Sequence, residues 1–399
     1  MKKILIFSQA MELGGAETAL LGLLDTIDTT KYSVDLFLMR HNGELLKHIP
    51  KEINLLPEDK KYSSLAVPFS VLFKKGQFRI AFLRLLAKVL SAIKAKKLKI
   101  SDSSAIPLEY SHKFTCTIMP KISNTEYDLA ISFLTPHYFV ANKVKAKKKI
   151  AWIHTDYSYI KIDVKSELNM WNKYDNIISI SNDVTASFAK TFPSLKEKVL
   201  IIENIISKNY VDSLVNAFSP DDEMPKNKSI KLLSIGRFCH QKNFDNVPQI
   251  CKTILDNSLN VKWYIIGFGG DEALIRQKIA EHGMQNNVII LGKKANPYPY
   301  INACDIYVQP SRYEGKSVAV REAQMLNKPV IITDFPTSKS QLKDGFDGVI
   351  VPIENTACAN ALSEIIKDTA LQQKLIANTK SCDYTNSQEI QKLYSFLNS

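Results

Sequence analysis

The stretch KILIFSQAMELGGAETALLGLLDTI, residues 3–27, reads as a short apolar strand, a glycine turn and an apolar helix. KILIFS (3–8) is flat in hydrophobicity, the pattern of a strand buried on both faces. Gly14 and Gly15 mark the turn, and AETALLGLLDTI fits the helix that follows. Two leading lysines give the segment a superficial likeness to a secretory leader. The apolar run is short, however, and enters Gly14-Gly15 without an A-x-A cleavage pattern, so a first strand is expected instead.

The same grammar repeats outward along the chain. VDLFLM (34–39), DLAISF (128–133), KIAWIH (149–154) and NIISIS (176–181) read as further buried parallel strands. It restarts at residue 230 with IKLLSIG, VKWYIIG, NVIILG, DIYVQPS, KPVIIT and GVIVP. Between the two sets, AFSPDDEMPKNKS (217–229) has the composition of a linker. The expected fold class is α/β, two Rossmann-like, doubly wound parallel-sheet domains facing across a cleft, with right-handed crossovers. The expected boundaries are 1–207 for the first domain, 208–229 for the linker and 230–378 for the second domain. Residues 379–399 are expected to include a helix crossing back to the first. Ligands in such sheets bind beyond the C-terminal ends of the strands.

Composition narrows the class. The 399 residues are 45% hydrophobic and 23% charged, which fits a folded, soluble protein. No run approaches the roughly 18 apolar residues of a membrane span. Six scattered cysteines form no C-x-x-C pair and read as reduced cytosolic thiols. The net charge of +12 is concentrated: residues 60–101 hold eleven Lys and Arg and no acid, and KVKAKKK follows at 143–149. Such a stretch calls for an anionic partner. Within it, residues 76–100 form a basic amphipathic segment, with Phe78, Phe82, Leu85, Leu86, Val89, Leu90 and Ile93 on one face. Arg84, Lys88 and Ser91 fall opposite. Docking on an anionic membrane surface is expected, with Arg79, Arg84 and Lys88 as contacts. Few aromatics are spaced for base stacking, which argues against nucleic acid.

Three stretches could carry chemistry. In SIGRFCHQKNF (234–244), Arg237 and Lys242 follow a strand, a fork and a point charge suited to a diphosphate. In YIIGFGGDEALIRQKI (264–279), Gly267, Gly269 and Gly270 resemble a dinucleotide turn, but no acid ends a following strand at the distance NAD requires. Gly292 and Lys293 come to the same edge. In YEGKSVAVREA (313–323), a helix begins near Ser317, so the amides of Lys316, Ser317 and Val318 should be free for a phosphate or sugar oxygen. Glu314 and Glu322 lie too far apart to touch the same atoms. They can grip different parts of one extended ligand.

Taken together, E-x7-E preceded by R-x4-K, with LGGAE (13–17) and WIHTD (152–156) upstream, resembles family 4 of the retaining glycosyltransferases, of GT-B fold and bacterial surface-polysaccharide type. The resemblance runs from residue 1 to about 375. It implies Glu322 on the ribose, Glu314 on the transferred sugar, and Arg237 and Lys242 on the diphosphate. Lys316 adds a third cation there. The amides of residues 315–318, Gly315 included, and of Gly14-Gly15 would surround sugar and phosphate, and His154 would contact the donor sugar, oriented by Thr155 and Asp156. Without the resemblance, His154 and also His137 read as structural.

The implied activity is that of a hexosyltransferase-type enzyme using a nucleotide sugar, UDP-linked, as substrate. No D-x-D occurs, so no metal and no cofactor are expected. The acceptor would be a polyprenyl-diphosphate-linked or other anionic glycan, handled at the cytoplasmic face of the membrane in capsule, exopolysaccharide or O-antigen assembly. The alternatives are a nucleotide-sugar epimerase of related fold and a non-catalytic nucleotide-sugar-binding partner.

Overall fold

The computed structural model describes residues 1–100 and 105–398. The final residues of the 60–101 and 379–399 segments lie outside them. The chain forms two compact units, one of Met1–Ile205 joined by residues from Ser387 onward, the other Ile206–Asn386.

In the first unit seven strands form one parallel sheet: β1 (Lys2–Ser8), β2 (Tyr32–Leu38), β3 (Asn54–Leu55), β4 (Glu126–Ser132), β5 (Lys145–Ile153), β6 (Asn176–Ser179) and β7 (Val199–Ile201). Their order is β3-β2-β1-β4-β5-β6-β7. The second unit has β8 (Ile230–Ile235), β9 (Val261–Ile266), β10 (Val288–Gly292), β11 (Ile306–Gln309), β12 (Val330–Thr333) and β13 (Val349–Val351), in the order β10-β9-β8-β11-β12-β13 and also parallel. All eleven strands expected from the apolar runs are present. Because side chains alternate along a strand, Leu232 and Trp263 enter the core on one face of the second sheet and Leu233 and Tyr264 the core on the other. Burial on both faces is why these runs carry no polar alternation.

Three regions differ from expectation. Residues 208–229 are not a spacer, since the Lys208–Val215 helix, capped by Ser207, sends Val211 into the core of the second unit with Met224. Eight residues are too few to show a helical period. The basic knot at 143–149 is largely β5, with Lys147 on Asp128 at 2.7 Å and Lys149 on the Ala141 carbonyl at 3.0 Å. Lys149 is engaged within the fold, whereas Lys147 pairs at the surface.

The third is the basic segment. The Phe78–Lys97 helix buries Ile80, Ala81, Ala87 and Ser91, and packs on the Ile106–Cys116 helix. Small side chains allow that close approach. Arg84 points inward, donating to the Val67 carbonyl at 2.7 Å with its guanidinium 4.8 Å from the Phe69 ring. It is therefore no surface contact. Phe78, Phe82, Leu85, Val89 and Ile93 are each more than half exposed, a continuous apolar stripe turned outward. Arg79 and Lys88 are exposed beside it.

The final helix, Ile390–Asn398, lies on the first unit. Asp28 N–H donates to the Tyr394 hydroxyl at 2.8 Å, and Tyr394 stacks on Tyr32 at 4.7 Å. Among the described residues no helix is long and apolar enough to cross a membrane. All six cysteines are free thiols.

Candidate functional site

In the second sheet, β8 has β9 on one side and β11 on the other, so the chain leaves their C-terminal ends in opposite senses. That reversal opens a crevice where ligands of parallel sheets bind. The loop after β8 carries Arg237, exposed, and Lys242. The loop after β11 carries Glu314, only 5% exposed.

Several bonds staple the two loops together. Arg312 forks onto Asp245 at 2.7 and 2.9 Å, and the Arg312 N–H donates to the Gln241 carbonyl at 2.8 Å. Asn243, at φ +60°, donates its side-chain amide to the Pro310 carbonyl at 2.9 Å. Lys242 Nζ reaches Glu314 Oε1 at 2.5 Å, and the same oxygen accepts from Ser311 Oγ at 2.6 Å. Gln241 Nε2 donates to Glu314 Oε2 at 3.2 Å. The two residues expected to act separately, Lys242 and Glu314, form one buried ion pair. An ammonium has three donors, so Lys242 can keep Glu314 and still meet a phosphate.

Glu322 lies on the Val318–Met325 helix, 6% exposed, with Oε1 accepting from the Tyr298 hydroxyl at 2.8 Å. Burial pushes its carboxyl up to about 7, partly offset by Tyr298. Glu314 and Glu322 thus come to one end of the sheet in different surroundings, the first paired with a cation and the second held by a phenol.

The helix start is less open than expected. Ser317 N–H donates to Gln341 Oε1 at 2.6 Å and is not free for a ligand. Gln341, 24 positions away, was not legible as a partner. Val318 is 8% exposed. Gly315 and Lys316 complete the same loop.

The glycine turn after β9 has a packing reason. A side chain at Gly267 would put its Cβ 1.9 Å from the Gly236 carbonyl oxygen, so the β8 and β9 exits touch only without one. Gly292, at φ +72°, ends β10, and Lys293 sits 5.2 Å over the Phe268 ring.

The remaining expected residues belong to the first unit. Gly14 caps the Gly15–Thr26 helix after β1, and a Cβ there would lie 2.3 Å from Glu17 Oε2. His154 follows β5, its Nε2 3.1 Å from the Phe133 carbonyl. That carbonyl orients the ring, whereas Asp156 instead caps the next turn through Ser158 N–H at 2.9 Å. His137 is buried, its Nδ1 2.8 Å from Ser132 Oγ and its ring against Trp171.

Comparison with known proteins bears on this arrangement. The profile of "Glycosyl transferases group 1" matches residues 215–381, nearly the whole second unit. The second unit is a group 1 glycosyl transferase domain. A glycosyltransferase of Methanocaldococcus jannaschii is 29% identical over 174 residues, 43% of this chain and 42% of that protein. The amylovoran biosynthesis glycosyltransferase AmsD of Erwinia amylovora is 27% identical over 221 residues, 54% of this chain and 59% of its own. The chain thus spans about half the length of these relatives. The structure of HepE from Anabaena, in complex with UDP and glucose, superposes with a TM-score of 0.66 over 99% of this chain and 100% of that one, at 17% identity. The fold is that of the GT-B glycosyltransferases.

Tyr298, Gln341 and the Arg312–Asp245 fork in the second unit were not legible in the sequence. Each acts across 24 or more positions, where no spacing rule applies. The carboxylates and cations were visible because they cluster in short loops after strands.

Proposed function

We propose that this protein transfers a hexose from a nucleotide sugar, UDP-linked, to a lipid-linked glycan during surface-polysaccharide assembly, with retention at the anomeric carbon. One observation carries the reading: the buried Lys242–Glu314 pair at the switch point of a group 1 domain, with Glu322 on the adjoining helix. One cation and two carboxylates match the diphosphate, the hexose and the ribose of one donor. The UDP and glucose named for HepE and the polysaccharide named for AmsD support the same classes.

In this reading Arg237 and Lys242, with Lys316, neutralise the diphosphate as its bond to the anomeric carbon breaks and charge develops on the departing oxygen. That oxygen takes the proton of the acceptor hydroxyl, which bonds to the same face of the sugar. Glu314 holds the hexose hydroxyls and Glu322 the ribose hydroxyls. The fixed cations leave no task that requires a divalent metal. The exposed stripe of the Phe78–Lys97 helix, set among cations, supports peripheral attachment to the inner face of the membrane, where a polyprenyl-diphosphate acceptor resides.

A panel of nucleotide sugars, with and without a polyprenyl-diphosphate-linked glycan, tests this. Nucleoside diphosphate released with one donor and an axial-to-axial product by NMR is the expected result. Sugar interconversion without release would assign an epimerase, and binding alone a non-catalytic partner.

A further inference from the structure

In β11, the strand that leads to Glu314, Ile306 and Val308 enter the core on one face of the sheet and Tyr307 the core on the other. By alternation Gln309 shares the face of Tyr307. A primary amide buried in an apolar sheet is costly unless its polar atoms are met. Here a chain of side chains meets them. The Tyr307 hydroxyl donates to Gln309 Oε1 at 2.8 Å, Gln309 Nε2 to Ser311 Oγ at 2.9 Å, and Ser311 Oγ to Glu314 Oε1 at 2.6 Å. Tyr307, Gln309 and Ser311 are all fully buried. The backbone beneath is pinned as well, with Thr333 Oγ1 on the Ser311 carbonyl at 2.6 Å and Thr337 Oγ1 on the Glu314 carbonyl at 2.8 Å.

Chemistry fixes the direction of the chain. A carboxylate paired with Lys242 accepts and does not donate, so Ser311 uses its single proton on Glu314 and its oxygen must accept. Gln309 therefore turns its NH₂ to Ser311 and its carbonyl to Tyr307, whose hydroxyl donates. Burial first, then the charges of Glu322 and Glu314, push the Tyr307 phenol well above its ordinary range, so that proton stays in place. Every donor in the series points towards Glu314. Hydrogen bonds aligned in this way polarise one another, so the carboxylate is held more firmly than by Ser311 alone. Its other partners are of a different kind. Gln241 reaches Oε2 at 3.2 Å from a loop, and Lys242 shares its donors with the diphosphate in the transferase reading. The chain from β11 is rooted in the sheet and has no competing task.

We propose that Tyr307, Gln309 and Ser311 are positioning residues for the transfer, a buried one-way chain of donors that keeps the Glu314 carboxylate aimed at the hexose while a bound diphosphate draws on Lys242. What Glu314 holds rests on the transferase reading. The chain itself stands on its hydrogen bonds alone.

The test is a double-mutant cycle in the full chain. Ser311→Ala and Gln309→Met are made in the parent and in Glu314→Ala, and kcat, UDP affinity and melting temperature are measured for each. In the parent background each change should lower kcat about tenfold and leave UDP affinity unchanged. In Glu314→Ala, where the chain has nothing left to hold, neither should lower the residual turnover further. Tyr307→Phe, at the far end, should cost only about two- to threefold. Tyr307→Phe combined with Gln309→Met removes both partners of one bond, keeps the core apolar and serves where a single change fails to fold. Unchanged kcat in both single variants would overturn the proposal, as would the same fractional loss in both backgrounds, or a loss confined to UDP affinity. If the parent moves sugar from no donor, the transferase reading falls, and melting temperature decides the chain. Ser311→Ala should then lower it in the parent and not in Glu314→Ala, and equal losses in the two would sink the chain as well.

Discussion

Glu322 shows how burial and function oppose each other at one residue. Its carboxyl is pushed from 4.5 up to about 7, so ionising it in the folded state costs about 3 kcal/mol. The sign follows from the raised value: the stability linked to this group is fully present below pH 4.5 and is lost as pH rises through 7. Glu322→Gln, which keeps the bond from Tyr298, should therefore melt several degrees above the parent at pH 8. The gap should close near pH 4.5 in a thermal-shift series. The same variant should bind UDP at least tenfold more weakly, because ribose hydroxyls donate best to a carboxylate. In the parent, UDP affinity should fall between pH 8 and 6 as the carboxylate takes its proton. Glu314→Ala should instead slow transfer more than it weakens UDP, and it leaves Lys242 unpaired in a largely buried setting. Both acids were legible because E-x7-E is a local pattern. Their partners Tyr298 and Gln241 were not, since each is set by how distant loops pack.

At the level of elements, the Phe78–Lys97 helix has its bulky face outward and its small residues inward. The sequence period identified the stripe, but could not tell that Ala81, Ala87 and Ser91 would seat the neighbouring helix. It also placed Arg84 with the solvated residues. Burying a large apolar side chain is worth about 1.5–3 kcal/mol, and five half-exposed ones offer several kcal/mol to a lipid surface. The exposed cations beside them suit anionic headgroups. Phe82→Glu with Leu85→Glu should abolish co-sedimentation with phosphatidylglycerol vesicles and leave the melting temperature unchanged. Retained sedimentation would remove the membrane assignment. Loss of a dimer by light scattering without lipid would give the stripe to a second copy. Arg84→Ala should behave differently, lowering stability by about 1–3 kcal/mol through the lost Val67 bond and Phe69 contact, with vesicle binding retained.

Over the whole molecule, the sheet strands were legible because continuous apolar runs of five or six residues have few other uses. The two that were missed, β3 and β7, have two and three residues. The unit boundary was placed late, since polar composition at 217–229 looked like a spacer, although Val211 before it and Met224 within it are buried in the core of the second unit. With charge neutralisation assigned to Arg237 and Lys242, turnover should persist in EDTA, and Lys242→Ala should lower it by 10²-fold or more. Activity lost in chelator and restored by manganese would contradict that assignment. The helix at 390–398 adds a constraint of another kind. Its Tyr394 meets Asp28 across 366 positions, and Ile390, Leu393, Phe396 and Leu397 are buried. On the ribosome, then, a segment made early is finished late. The contiguous second unit can close as it emerges, while the first waits with an uncovered flank until residues 390–398 are made. Fragment 206–386 should therefore be obtainable alone, and fragment 1–205 should need the missing peptide supplied in trans.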